Sequence, residues 1–186
     1  MTSKIVTLNH LKNIRKKCIE NNKKIVLVHG VFDVIHLGHI EHFKEAKKNG
    51  EILVVSLTLD KFVNKGFNKP YFKIDQRTKF LSHINLIDYI TISQSESSVE
   101  VIKNLRPDFY CKGKDYIPSS GDKAGNLRTE KKTLEKFGGK IIFTQGQQFS
   151  STKILNENFH EFKIVNNKIN NLFKKDIEKN KILEEF

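Results

Sequence analysis

The chain has 186 residues and a formal net charge of +12, and 38% of its residues are apolar, enough for one α/β domain and an appendage. Its separated cysteines, Cys18 and Cys111, exclude a disulfide framework and point to a reducing, cytoplasmic setting, while the lack of a signal core or a long apolar run excludes a membrane role. The positive charge is lysine scattered along the chain, with Arg15, Arg77, Arg106 and Arg128 as the arginines, which argues against a nucleic-acid partner and suits anionic small substrates.

Thr7 is placed to cap a first helix, whose Leu8, Leu11, Ile14, Cys18 and Ile19 recur at helical spacing up to Asn21-Asn22. This arm is expected to pack. Residues 24–28 form a short β-branched run suited to a strand buried on both faces. The stretch Val28-His29-Gly30-Val31-Phe32-Asp33-Val34-Ile35-His36-Leu37-Gly38-His39 then reads as strand, turn and helix start. The helix over 37–48 carries Leu37, Ile40 and Phe43 on one side and stops at Asn49-Gly50. A second buried strand over 52–57 follows, and this spacing predicts a parallel pair with a right-handed crossover.

Residues 60–71 are a polar loop holding Lys61, Lys65 and Lys69, on the edge where open α/β sheets bind ligands. A helix over 75–84 has Arg77 in its first turn, where a cation opposes the helix dipole, so a ligand or carboxylate partner is expected. A third strand over 86–92, a helix over 97–105 closed by Arg106-Pro107 and a fourth strand over 108–111 follow. In the exit loop Lys112-Gly113-Lys114-Asp115-Tyr116, Gly113 allows close backbone approach, and Lys112 and Asp115 are placed to touch phosphate or ribose. Residues 117–126 are a candidate lid. A helix over 127–137 ends at Gly138-Gly139, and a fifth strand over 140–144 leads towards Ser150, Ser151 and Thr152. Three hydroxyls at such a junction suit helix capping and phosphate donation alike. Residues 158–186 carry an amphipathic stripe with Phe162, Val165, Ile169, Leu172, Phe173 and Ile177, expected to pack on the domain or on a second subunit.

The chemistry concentrates at His36-Leu37-Gly38-His39. The two histidines share one face of a helical first turn, beside free backbone N–H groups and the positive end of the helix dipole. That is a site for phosphate, and Gly38 removes bulk from it. A metal pair is the alternative, but zinc needs further ligands and none stands at suitable spacing.

The stretch from Gly30 to His39, Asp75-Gln76-Arg77, Arg106-Pro107-Asp108, the Lys112–Tyr116 loop and Ser150-Ser151-Thr152-Lys153-Ile154 together resemble the cytidylyltransferase-like nucleotidyltransferases, over residues 7 to about 156. Within them the chain is most similar to the heptose 1-phosphate adenylyltransferase domain, then to glycerol-3-phosphate cytidylyltransferase. The resemblance implies an α/β fold: a Rossmann-like parallel five-stranded sheet with helices on both faces, plus a C-terminal amphipathic helix. Residues 1–157 would be the nucleotidyltransferase domain and 158–186 a helical extension.

The implied reaction transfers a nucleoside monophosphate from ATP or CTP to a sugar phosphate of the heptose 1-phosphate kind, or to glycerol 3-phosphate or another phosphorylated alcohol, with release of pyrophosphate. Catalytic roles then fall to His36, His39, Lys65 and Arg77, with Arg77 on the substrate phosphate. Gly30, Val31, Phe32, Asp33, Gly38, Lys112, Gly113 and Asp115 would line the nucleotide, and Ser150, Ser151 and Thr152 would grip its triphosphate. Mg²⁺ would arrive with the triphosphate, which leaves it few protein ligands. The chain departs from the cytidylyltransferase branch at Asn85 and at Gln145, Gln147 and Gln148, where that branch has arginines, which argues against CTP and glycerol phosphate without deciding for ATP. A homodimer is expected, or one domain of a longer bifunctional chain. A nucleotide sensor without catalysis is the competing reading on the same fold.

Overall fold

A computed structural model describes residues 4–64, 69–116 and 126–145. In chain order their elements are α1 (Leu8–Glu20), β1 (Ile25–Gly30), α2 (Leu37–Lys47), β2 (Ile52–Thr58), a 3-10 turn (Asp60–Phe62), α3 (Ile74–Ser82), β3 (Tyr89–Ser93), α4 (Val99–Leu105), β4 (Phe109–Gly113), a second 3-10 turn (Lys114–Tyr116), α5 (Asn126–Glu135) and β5 (Lys140–Thr144). The strands form one five-stranded parallel sheet in the order β3-β2-β1-β4-β5. The fold is the expected Rossmann-like α/β arrangement. The chain winds outward from β1 to β3, then crosses to β4 and β5, so strand order reverses between β1 and β4. Ligands of such sheets bind outside the carboxyl ends of the strands at that reversal.

β1 is central, and its alternate residues feed two cores. Val26 and Val28 pack with Phe43 and Ala46 of α2 and Leu81 of α3. Ile25 and Leu27 pack with Leu11 and Ile14 of α1, Ile102 of α4 and Leu134 of α5. Helices therefore cover both faces. α1 starts where Thr7 Oγ1 accepts the His10 N–H at 3.4 Å. α4 ends on Arg106 at φ 49°, ahead of Pro107.

Two aspartates anchor the amino-terminal edge. The Asp108 carboxylate accepts the Ile25 N–H at 2.8 Å and Arg15 Nη1 at 2.7 Å. Burial alone would raise its pKa, but the Ile25 N–H and Arg15 outweigh it and hold it below its ordinary value. Asp88 does the same for β2: it accepts the Leu53 N–H at 2.7 Å and pairs with Lys47. Asp88 also corrects an expectation, since the apolar run over 86–92 becomes strand only at Tyr89. Ile87 is fully buried from the preceding turn, and periodicity does not separate a buried turn residue from a strand residue.

Among the described residues no helix is long and apolar enough to cross a membrane. The candidate lid apart from Asn126, and the helical extension over 158–186, lie outside the described residues.

Candidate active site

β1 ends at Gly30, and the chain reaches α2 through a tight loop in which Phe32 takes the left-handed conformation at φ 47°. A non-glycine residue there is strained, and such positions gather at functional loops. The reason is local packing. The Phe32 ring folds back over Gly30, where a Cβ would lie 3.2 Å from it. On its other sides the ring meets His39 edge-on, with centroids 5.4 Å apart, and Phe43 at 5.2 Å. Gly30 thus makes room for an aromatic ring that seats a catalytic candidate.

His36 is the N-cap of α2, and His39 lies in its first turn. Their rings stack with centroids 3.8 Å apart and planes 23° apart. The His36 N–H donates to His39 Nδ1 at 3.3 Å, so a neutral His39 carries its proton on Nε2. Burial lowers the His36 pKa. The result is a pair of N–H-bearing rings at a helix N-terminus, suited to phosphate oxygens. Gly38 lies between them, half-buried.

His42, one turn further on, was not singled out from the sequence. Its Nδ1 lies 2.7 Å from Thr144 Oγ1, which donates to the Lys112 carbonyl at 3.3 Å. This chain ties α2 to the ends of β4 and β5. The available signal was the i, i+3 spacing from His39, which puts both on one helix face.

Arg77 stands elsewhere than expected. It is fully buried, rather than presenting its fork at the surface to a substrate phosphate. Nε donates to the Phe72 carbonyl at 3.0 Å and Nη1 to the Val31 carbonyl at 2.5 Å; Nη2 donates to the Thr58 carbonyl at 2.9 Å and pairs with Asp60 at 2.5 Å. The carboxylate partner anticipated for a first-turn arginine is thus Asp60. Asp33 is likewise a clamp, its carboxylate accepting the Tyr71 and Phe72 N–H groups, each at 2.8 Å. Together Val31, Asp33, Asp60 and Arg77 bind the loop after β2 to the loop after β1. Lys65, Ser150, Ser151 and Thr152 lie outside the described residues, as does the side chain of Asp115.

On the face of the sheet opposite α2, a polar layer crosses the strand ends. His29 pairs with Ser56, and Ser56 with Thr91. On the other side Val28 pairs with Cys111, so Lys112 falls next to His29. The Lys112 ammonium does not point outward as expected. It lies 3.1 Å from Glu130 of α5, with the Tyr110 and Tyr116 ring centroids at 4.8 and 4.6 Å. Glu130 is 1% exposed. It accepts the Ser98 N–H at 2.8 Å, the Ser98 and Ser97 hydroxyls at 2.9 and 3.3 Å, and the Tyr110 hydroxyl at 3.1 Å. Burial pushes its pKa up, but Lys112 and the Ser98 N–H outweigh this and hold it below the ordinary value.

His29 faces the Glu96 carbonyl through Nε2 and the Ser56 hydroxyl through Nδ1, each at 3.1 Å. A carbonyl only accepts, so the ring proton sits on Nε2 and Ser56 donates to Nδ1. Burial first, then Lys112, pulls His29 down to about 4, so it is neutral near pH 7. His29 and Glu130 were missed from the sequence. The usable signal was a polar residue, His29 or Lys112, directly following an apolar strand run.

Among the described residues no group of three or more His, Cys, Asp or Glu side chains is placed to hold a metal ion. A family model described as cytidylyltransferase-like matches residues 27–180. The chain belongs to the cytidylyltransferase-like family. Its nucleotidyltransferase fold agrees with the stacked histidines at the sheet's carboxyl edge. It is similar to the bifunctional protein HldE of Geobacter metallireducens, 31% identical over 160 residues, covering 83% of this chain and 31% of that protein. It is also similar to HldE of Campylobacter jejuni, 38% identical over 99 residues, covering 52% and 22% of the two chains. This cytidylyltransferase-like chain therefore spans less than a third of the length of these curated relatives. Among solved structures, the lipopolysaccharide core biosynthesis protein from Thermoplasma volcanium superposes with a TM-score of 0.56 at 25% identity, covering 68% of this chain and 99% of that one. Pantoate-beta-alanine ligase from Francisella tularensis, at 20% identity and a TM-score of 0.51, covering 79% of this chain and 68% of that one, shares the fold.

Proposed function

We propose that the chain transfers a nucleoside monophosphate from ATP or CTP, bound as the Mg²⁺ complex, to the phosphate of a sugar phosphate of the heptose 1-phosphate kind. An acceptor phosphate oxygen attacks the α-phosphorus, and the bond to the bridging oxygen of the leaving pyrophosphate breaks. The reaction needs no covalent enzyme intermediate. Its demands are positioning and stabilisation of charge on the crowded phosphorus. The observation that carries this reading is the His36–His39 pair, stacked at the N-terminus of α2. These rings donate N–H groups to phosphate oxygens. Lys65, Ser150, Ser151 and Thr152 complete the triphosphate grip in this reading, and Gly30 to Asp33, Gly38, Gly113 and Asp115 border the nucleotide.

The HldE relatives and the lipopolysaccharide core biosynthesis protein support a sugar phosphate acceptor. The cytidylyltransferase-like description keeps CTP, and with it glycerol 3-phosphate or another phosphorylated alcohol, as the second reading. The chain acts in this reading as a homodimer or as the nucleotidyltransferase domain of a longer bifunctional protein. A pyrophosphate-release assay crossing ATP and CTP with sugar 1-phosphates and glycerol 3-phosphate tests the proposal. Pyrophosphate from ATP with a heptose 1-phosphate supports it, turnover only with glycerol 3-phosphate selects the second reading, and nucleotide binding without any turnover leaves a sensor.

A further inference from the structure

Lys112 closes β4 at the carboxyl edge of the sheet, yet its ammonium is turned inward onto Glu130, 3.1 Å away. Lys112 is the first of the influences that hold Glu130 below its ordinary pKa, and it is not the only one. Without it, the carboxylate keeps the Ser98 N–H and the hydroxyls of Ser97, Ser98 and Tyr110 as donors. A buried carboxylate with several donors remains satisfied as an anion. A phosphate oxygen can therefore compete for the lysine while Glu130 keeps these hydrogen-bond donors. The lysine's other contacts are the faces of Tyr110 and Tyr116, which accept an ammonium over a broad area. The Lys112 stem is flexible, and its donors rotate.

We propose that Glu130 is a positioning residue that parks Lys112, and that Lys112 exchanges Glu130 for a phosphate oxygen when the nucleoside triphosphate binds. This deepens the nucleotidyltransferase reading and rests on it. One charge-assisted hydrogen bond replaces another, so no bond to carbon or phosphorus changes. Parking keeps a buried ammonium compensated beside His29. It also lowers the apparent affinity for triphosphate, because binding must compete with the pair. When Lys112 leaves, the positive neighbour that helps keep His29 neutral leaves with it.

The test is calorimetric titration of Mg²⁺–ATP, Mg²⁺–CTP and pyrophosphate into the wild-type chain, Glu130→Gln and Lys112→Met. Glu130→Gln keeps an acceptor for the Ser98 N–H but removes the charge that holds the lysine. A parked lysine predicts opposite effects from the two partners of one ion pair. Glu130→Gln tightens binding about three- to tenfold, and Lys112→Met weakens it about tenfold. A pair that serves only cohesion weakens binding in both variants or changes neither, and either result overturns the proposal. Should Glu130→Gln unfold at the titration temperature, Glu130→Asp keeps the charge at a longer reach and is expected to tighten binding by a smaller factor. NMR supplies a second readout: nucleotide raises the His29 titration midpoint in the wild type and leaves it in place in Lys112→Met. A wild-type chain that binds none of the three probes and releases no pyrophosphate overturns the nucleotidyltransferase reading. A wild-type chain that turns over while both variants fall together overturns the parked lysine alone.

Discussion

The guanidinium of Arg77 donates to the carbonyl of Val31 at 2.5 Å, across 46 residues of chain. It joins the first helical turn of α3 to the loop that carries Phe32 and leads to the stacked histidines. The same side chain holds the Thr58 and Phe72 carbonyls and Asp60, so one buried cation organises both loops on this side of the carboxyl edge.

Removing it strands those acceptors. Arg77→Ala is expected to cost about 3–5 kcal/mol of stability, the usual penalty for breaking a buried ion pair from one side. Arg77→Lys recovers only part of this, because an ammonium does not reproduce the planar fork. Urea unfolding midpoints measure both. A lysine variant as stable as the wild type would show that the fork geometry is irrelevant.

His39→Ala is expected to lower turnover by roughly two to four orders of magnitude, as for loss of other transition-state donors, with the fold retained. His39→Gln places an N–H donor near the position of Nε2 and restores part of the rate. Steady-state pyrophosphate release against acceptor concentration checks this, with circular dichroism to confirm folding. Near-normal turnover in His39→Ala would remove the histidine from the mechanism.

Gly30→Ala puts a Cβ 3.2 Å from the Phe32 ring, which is backed by His39 and Phe43. The ring must move by a few tenths of an ångström, and it carries His39 with it. A displacement of that kind predicts a fall in kcat of about tenfold or more with the melting temperature little changed. A melting temperature that drops steeply while kcat holds would place the strain in the fold and not in the site.

His29 makes stability depend on pH. Its folded pKa of about 4 lies below the unfolded value of about 6.5, so between these values the unfolded chain binds more protons. The contribution is complete above about pH 6.5 and is lost as pH falls towards 4, by up to about 1.4 kcal/mol per pH unit, the slope for one proton. Denaturation midpoints across that window measure it, and His29→Gln should flatten the curve there. Asp108 and Glu130, both held below their ordinary values, add losses of the same sign at lower pH.

The fold was readable in the chain because its signals are local. β-branched runs, Thr7 as a cap, and the spacing of helices and strands state the α/β alternation without reference to distant residues. The His36–His39 pair was readable for the same reason, since i, i+3 spacing at a helix start fixes a shared face. Lys112 and Arg77 were located correctly in chain order, but their side chains turn inward to partners that chain order does not disclose. Glu130 lies 18 residues beyond Lys112 on α5, and Val31 lies 46 residues before Arg77.

Short-range pattern therefore decided the architecture and the placing of His36 and His39 at a helix start, and the sequence motifs carried the family resemblance. The folded molecule decided which charges turn inward to hold the frame. The reason is physical: helix and strand periodicity is set within a few residues, whereas a buried charge is satisfied by whichever donors the packed elements bring to it. Arg77, Asp33 and Asp60 became a loop clamp, and Lys112, Glu130 and His29 became a charge-compensated layer, only when β1, β2, β4 and α5 came together.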